Sequence, residues 1–136
     1  MKYLCLAYED EHKLDALSRD EWDSLRQETL DYVESLSRGG RLLLTHALQS
    51  VRNATTVRVR HGRLSATDGP FAETKETLGG FFLIEARDLN EAIQVAGKWP
   101  SARFGSIEVR PIEEALREES RYGGASRAQD LPNQSG

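Results

Sequence analysis

Residues 67–93 read TDGPFAETKETLGGFFLIEARDLNEAI, and this stretch indicates the fold class. An eleven-residue connection, Asp68 to Leu78, leads into an apolar segment that predicts a strand over residues 80–86. Compact domains rarely use so long a connection without a structural or functional reason. Asp88 and Glu91 then have the spacing of a helix cap, so we expect a helix to begin directly after the strand.

The segments upstream predict a first strand, a helix and a second strand. Residues 2–8 are apolar on both faces, which is typical of a central strand that is covered on two sides. Ser18 and Glu21 form a capping-box pattern, and Gly39 with Gly40 ends the helix that follows. The predicted buried face of that helix consists of Trp22, Leu25, Tyr32, Val33 and Leu36. Residues 42–48 read as the second strand.

Residues 55–60 alternate between apolar and polar side chains, and residues 64–67 fit the second strand of a hairpin that turns at His61 and Gly62. We expect this hairpin at the margin of the sheet. Residues 106–112 predict a last strand, which Pro111 places at an edge. The order β-α-β, hairpin, β-α-β indicates an α+β fold with a ferredoxin-like split βαβ monomer. Two helices cover one sheet face, so a second copy is expected to cover the other in a homodimer.

Composition limits the class of protein. The length of 136 residues fits one domain, residues 1–112, with a tail over 113–136 that begins as a short helix and becomes disordered from Gly123. The net charge of −4 argues against nucleic-acid binding. The single cysteine, Cys5, excludes an internal disulfide and is expected to be a buried apolar residue. No signal peptide and no membrane-spanning run is recognised, so we expect a cytoplasmic protein without membrane partners.

The chain resembles the YCII-related family in its DGPF branch. The resemblance covers about residues 1–112 and rests on KYLCL at 2–6, ALQ at 47–49, TTVRVR at 55–60 and, above all, TDGPFAETKE at 67–76 with LGGF at 78–81. It implies a dimeric α/β barrel built on a ferredoxin-like monomer. In the wider family a histidine and an aspartate have prompted the suggestion of an enzyme, and some relatives act on small ring-derived metabolites. Members of this branch are often encoded beside extracytoplasmic-function sigma factors, which implies a regulatory or accessory role and a sigma-factor partner.

Asp68 and His46 are the candidate catalytic residues. Asp68 has the chemistry of a general acid or base, but an aspartate before Gly-Pro also commonly sets a turn. Histidine is the usual proton shuttle of enzymes, and His46 would pair with Asp68 if their side chains meet. An oriented or solvated histidine without a catalytic role is the alternative. Sequence alone does not show that the two side chains share one site.

Charged residues and one tyrosine are the candidate ligand-binding groups. Glu73 and Lys75 lie in the loop after Asp68, Arg58 lies within a strand, and Tyr8 ends the first apolar run. Arg58 and Lys75 would suit a small anionic ligand, although a solvated strand face is the usual role of such arginines. Phe71 is expected to anchor the loop in the core. His12 follows three acids, but this pattern fits a solvated turn better than a metal site.

No phosphate-binding loop, dinucleotide fingerprint, CxxC or HExxH motif occurs, so the sequence predicts cofactor-independent chemistry or simple binding. Three functions fit. The first is a small-molecule-binding, regulatory dimeric barrel protein. The second is a cofactor-independent lyase or isomerase that acts on a small acidic metabolite through Asp68, with His46. The third is an interaction module for a sigma factor, which would have a filled interior in place of a pocket.

Overall fold

The computed structural model describes residues 1–114 and therefore holds the whole predicted domain. The predicted tail lies outside the described residues from position 115 onward. Within the described part, the strands are β1 (Lys2–Glu9), β2 (Leu42–Ala47), β3 (Thr55–Arg60), β4 (Arg63–Asp68), β5 (Thr77–Glu85) and β6 (Gly105–Pro111). The α-helices are α1 (Glu11–Asp15), α2 (Arg19–Arg38) and α3 (Leu89–Gly97), and Val51–Asn53 and Pro100–Phe104 are short 3₁₀ helices.

The main sheet has the strand order β2-β5-β1-β6, and each neighbouring pair is antiparallel. This arrangement confirms the predicted ferredoxin-like split βαβ. Strands β1 and β5 lie in the centre, as their two-sided apolar sequences predicted. Strand β6 lies at an edge and ends at Pro111, where a residue without an N–H costs no ladder hydrogen bond.

One face of the sheet packs under the helices and carries the core. This face is here called the helix face. Tyr3, Cys5 and Ala7 of β1 alternate into it and are buried. Burial raises the pKa of the Cys5 thiol to about 12, so Cys5 is an apolar core residue as predicted. Phe82 is fully buried, and its ring stacks on Trp99 with ring centroids 3.8 Å apart. Such pairs contribute roughly 0.5–1.5 kcal/mol beyond the area that they bury.

The opposite face of the main sheet, the open face, is also apolar but only half-buried in one chain. Its apolar residues are Leu4, Leu6, Leu44, Phe81 and Leu83, which alternate with the residues of the helix face, and the edge strand β6 adds the ion pair of Glu108 and Arg110. Leu44 is an exposed large apolar residue. The pattern agrees with the sequence, which predicted apolar residues on both sides of the central strands.

Helix α2 begins as the sequence predicted. The Ser18 side chain accepts a hydrogen bond from the Glu21 backbone N–H, and the Glu21 side chain accepts one from the Ser18 N–H. The prediction that Trp22 belongs to the buried face is wrong, because 45% of this residue is exposed at the first turn. Helix α1 was not predicted. Its N-terminus is capped by the buried Asp10 carboxylate.

The hairpin of β3 and β4 forms its own two-stranded sheet, so the prediction of a sheet margin is wrong. Its turn is the predicted one, with His61 and Gly62 both at positive φ, as two-residue hairpin loops prefer. One face of this hairpin carries Val57, Val59 and Leu64 in exposed positions, with Leu64 72% exposed.

The connection after the hairpin is shorter than predicted, because β4 ends at Asp68 and β5 already begins at Thr77. Gly69 has a φ of 102°, and its N–H donates to the Ala54 carbonyl at 2.8 Å. This positive φ favours glycine at residue 69, because residues with a β-carbon rarely adopt it. The prediction that Phe71 anchors the loop in the core is wrong, since the residue is 80% exposed.

Candidate functional site

The Glu9 carboxylate lies at an irregularity between the two central strands. Ala7 pairs with Gly80 and Tyr8 pairs with Leu78, so Gly79 is bypassed in a β-bulge. Glu9 follows the alternation of Tyr3, Cys5 and Ala7 onto the helix face, and its carboxylate occupies the space beside Gly79. A β-carbon at residue 79 would collide with this carboxylate. The absence of a side chain at residue 79 is therefore what makes room for the Glu9 carboxylate.

Glu9 borders a cavity of about 390 Å³ between α2, the helix face and the Pro100–Phe104 3₁₀ helix, here called the helix-face cavity. Its walls are mostly apolar side chains. They include Trp22, Leu25, Leu30 and Val33 of α2 together with Trp99. The volume lies within the range of about 300–1,000 Å³ that is typical of ligand pockets.

The electrostatics of this cavity centre on Glu9. Burial raises the pKa of its carboxyl group, a side-chain hydrogen-bonding interaction with Ser101 opposes that shift, and the charge of Glu11 adds to it. Ser101 is buried, and its Oγ makes no hydrogen bond of standard geometry within the described part of the chain. Arg26 lines the cavity from the exposed side of α2. The site thus combines an apolar pocket, a carboxyl group and a hydroxyl.

Several contacts hold Ser101 in place. Pro100 begins the 3₁₀ helix with its fixed φ, and the Ala102 N–H donates to the Trp99 carbonyl at 2.9 Å. The Arg103 guanidinium binds Glu28 of α2 through two hydrogen bonds of 2.9 and 2.8 Å. This paired contact fastens the segment that carries Ser101 to the helix that forms the opposite wall of the cavity.

The two predicted catalytic residues lie on different elements. His46 is the cross-strand partner of Phe81, and the ring centroids are 5.9 Å apart, which places the imidazole on the open face. His46 also contributes to the edge of the helix-face cavity. Asp68 ends β4 opposite Thr55, where it is exposed. Among residues 1–114, no hydrogen bond or ion pair joins His46 to Asp68, so their shared role stays a prediction.

The predicted ligand-binding residues are also dispersed. Glu73 and Lys75 are exposed on the loop, and Arg58 is half-buried within β3. None of these three lines the helix-face cavity. Tyr8 lines a second cavity of about 560 Å³ beneath residues 70–74, here called the loop cavity.

The sequence interpretation missed Glu9, Ser101 and Arg26. The alternation of β1 contained a signal for Glu9, because continuing it past Ala7 places a carboxylate on the helix face. Ser101 and Arg26 carried no such signal, since their position depends on how the 3₁₀ helix packs against α2. Residues 1–114 contain no group of three or more His, Cys, Asp or Glu side chains that could hold a metal ion. No helix in that range is long and apolar enough to span a membrane.

Comparisons with known proteins agree on the family and the fold. The family model of the YCII-related domain matches residues 1–116. An uncharacterised protein of Rhizobium meliloti (strain 1021) is 36% identical over 114 residues, which are 82% of this chain and 92% of that protein.

A solved structure shares the fold. It is the 5-chloro-2-hydroxyhydroquinone dehydrochlorinase of Burkholderia phenoliruptrix AC1100 in complex with 2,5-dihydroxybenzoquinone. The TM-score is 0.52 at 14% identity, with 85% of this chain and 96% of that chain covered. At this identity the likeness shows the fold alone.

Proposed function

This chain belongs to the YCII-related family, and we propose that it binds a small, largely apolar molecule in the helix-face cavity. The observation that carries the proposal is the Glu9 carboxyl group, half-buried in the wall of an otherwise mostly apolar pocket. A carboxylate in such a place loses hydration, and its pKa is raised as a result. Carboxyl groups with a raised pKa in a cleft are concentrated at functional sites, which supports a role for Glu9 in recognising or converting a ligand.

The chemistry of the walls favours an uncharged ring compound with at least one hydroxyl group. Trp22 and Trp99 offer aromatic surface, and the Glu9 carboxylate accepts a hydrogen bond from a hydroxyl donor. An anion would meet the charge of Glu9 in the cavity wall, while Arg26 lies on the exposed side of α2. The anionic ligand predicted from Arg58 and Lys75 therefore suits those two residues better than this cavity. The structural neighbour supports a small ring as the ligand, since it was solved with 2,5-dihydroxybenzoquinone.

Binding of catechol tests the proposal, because catechol is a small ring with neighbouring hydroxyls. Calorimetry on the full chain should give saturable binding, and Glu9→Gln should weaken it by about fivefold or more, the effect of one hydrogen bond to a charged acceptor. Glu34→Gln is the matched control, because Glu34 lies on the exposed side of α2 and pairs weakly with Arg38 at 3.5 Å. Equal affinity in both variants would contradict the proposal.

Glu9 also supports a second candidate function, cofactor-independent proton transfer by a lyase or isomerase. A carboxyl group with a raised pKa works as a general base or acid nearer to neutral pH than an ordinary glutamate. In this version Glu9 takes the role that the sequence assigned to Asp68 and His46. Product formation from a bound ring compound, lost in Glu9→Gln while binding of the compound is retained, distinguishes conversion from simple binding.

We propose further that two copies pair through their open faces. Leu4, Leu6, Leu44, Phe81 and Leu83 leave an apolar surface that one chain does not cover. A face-to-face homodimer would bury this surface and complete the dimeric α/β barrel. The link to a sigma factor, which the family resemblance implies, stays a prediction, and a regulatory role would use the helix-face cavity as its sensor.

A further inference from the structure

The loop cavity lies on the other side of the sheet from Glu9. Tyr8 lines it, and Tyr8 and Glu9 are neighbours in one strand, so their side chains point to opposite faces. Strand β5 contributes Thr77 and Leu78 to the wall, and the loop after Gly69 forms the roof with Pro70 and Phe71. The conspicuous DGPFAET segment therefore builds a space that the helix-face cavity does not share.

The wall of the loop cavity is uncharged. All fifteen residues that line it are apolar, hydroxyl-bearing or amide-bearing, although 29% of the chain is charged. Arg58, Glu73 and Lys75 lie nearby in sequence but outside the lining. A charged ligand would lose water on entering this cavity and would find no opposite charge in its wall. The cavity therefore favours uncharged ligands over ions.

Two side-chain amides supply a directional edge. Asn53 Nδ2 donates to Gln49 Oε1 at 2.9 Å. No hydrogen bond among residues 1–114 uses the other polar atoms of this pair, the donor Gln49 Nε2 and the acceptor Asn53 Oδ1. One donor and one acceptor on contacting side chains match the carbonyl and the N–H of another amide.

The frame of the cavity is held before any ligand binds. The Glu11 carboxylate accepts hydrogen bonds from Ser50 Oγ at 2.9 Å, Val51 N–H at 3.2 Å and Thr77 Oγ1 at 3.4 Å. These contacts lower the pKa of Glu11, with the Val51 N–H as the largest cause, so the carboxylate stays charged at neutral pH. Glu11 thereby joins the start of β5 to the Val51–Asn53 3₁₀ helix, which form two sides of the cavity.

The turn before the roof is fixed as well. Thr56 Oγ1 donates to the Gly69 carbonyl at 2.8 Å, while the Gly69 N–H donates to the Ala54 carbonyl. Pro70 follows with a restricted φ. Phe71 then lines the cavity while remaining 80% exposed. Because its ring is not packed in the core, it can cover a flat molecule without any loss of core packing.

We propose that the loop cavity is a second binding site, and that its ligand is an uncharged molecule with an amide-like edge attached to a flat apolar group. The amide would pair with Gln49 and Asn53, and the flat group would lie between Leu78 and the Phe71 ring. This site is independent of Glu9 and of the function proposed for the helix-face cavity.

Benzamide is the probe, with benzoate and benzylamine as charged comparators of similar shape. We expect benzamide to shift the NMR signals of the Gln49 side-chain amide and of the Thr77 and Leu78 backbone amides in the full chain. Benzoate and benzylamine should bind at least about fivefold more weakly, in line with the loss of one net hydrogen bond. Equal binding of all three compounds would overturn the proposal.

Two variants keep the test independent of folding, since both residues are exposed. Gln49→Leu and Phe71→Ala should each weaken benzamide binding by about fivefold, while the exposed Gln27→Leu on α2 should leave it unchanged. Glu9→Gln should also leave it unchanged, which separates this site from the helix-face cavity. Unaltered affinity in Gln49→Leu would overturn the proposal. The proposal would also be overturned if benzamide shifted the NMR signals of Gly79 and Gly80 in place of those of the loop cavity. It would likewise be overturned if diluting the protein without benzamide produced the same shifts.

Discussion

The Glu9 carboxylate lies directly beside the backbone of Gly79, in space that any side chain at residue 79 would occupy. Gly79 is bypassed in the pairing of β1 with β5, so the bulge creates room for the carboxylate at the wall of the helix-face cavity. The position of the Glu9 carboxylate thus depends on the absence of a side chain at Gly79, and a substitution at residue 79 should move the carboxylate.

Gly79→Ala should displace the Glu9 carboxylate toward water. The obstructed atoms are at the end of a flexible side chain, so we expect a loss of stability within about 1 kcal/mol, at the low end of overpacking costs. The pKa of Glu9 should fall toward the ordinary glutamate value, and catechol binding should weaken. Gly97→Ala is the control, because a β-carbon there meets nothing within 4 Å. A variant that retains both the raised pKa and the affinity would count against the arrangement.

Glu9→Gln should change how stability depends on pH. The folded-state pKa of Glu9 is raised, so the native state binds more protons than the unfolded state just above the ordinary glutamate value. Stability of the unaltered protein therefore falls as pH rises through this window, and the glutamine variant lacks that fall. Urea unfolding at about pH 4 and about pH 7 should show the variant gaining relative stability at the higher pH.

Glu11→Gln should behave with the opposite sign. The folded-state pKa of Glu11 is lowered by its hydrogen bonds with Val51, Ser50 and Thr77. Its stabilising contribution is present above the ordinary glutamate value and is lost as pH falls through the folded-state value. The same unfolding experiment should show a deficit in this variant at neutral pH that narrows in acid. A deficit that is equal at both values of pH would contradict the assignment.

Phe71 and Phe82 should differ sharply in their contribution to stability. Phe82 is fully buried and stacked on Trp99, so Phe82→Ala should cost about 3–5 kcal/mol. Phe71 is 80% exposed, so Phe71→Ala should change the free energy of unfolding by less than about 0.5 kcal/mol. Denaturant unfolding measures both. A large loss in the Phe71 variant would restore the view that this ring anchors the loop.

The open face should set the oligomeric state. Light scattering should give twice the 15.3 kDa mass of one chain, and Leu6→Glu should give the monomer by placing a charge in the apolar interface. Ile93→Glu is the matched control, because Ile93 is an exposed apolar residue of α3. A monomeric unaltered protein would refute the pairing.

The fold was predictable because the local signals agreed with one another. The capping pairs Ser18–Glu21 and Asp88–Glu91 and the two-sided apolar strands each appear in the structure as expected.

The cavities were not predictable, since they depend on distances between elements. Asp68 and His46 stood out by residue type, whereas Glu9 is one acid among three in sequence and acquires its setting from Gly79 and Ser101. Trp22 and Phe71 show that an apolar residue in a fitting pattern can still remain exposed at the rim of a cavity.

The titration of the Glu9 carboxyl group by ¹³C NMR, with and without catechol, tests the central claim most directly. We predict that its pKa lies above the ordinary glutamate value in the free protein, because Glu9 is partly desolvated in the cavity wall. Catechol should lower it, since the bound hydroxyl donates a hydrogen bond that stabilises the charged carboxylate. A pKa at the ordinary glutamate value that catechol leaves unchanged would contradict the account.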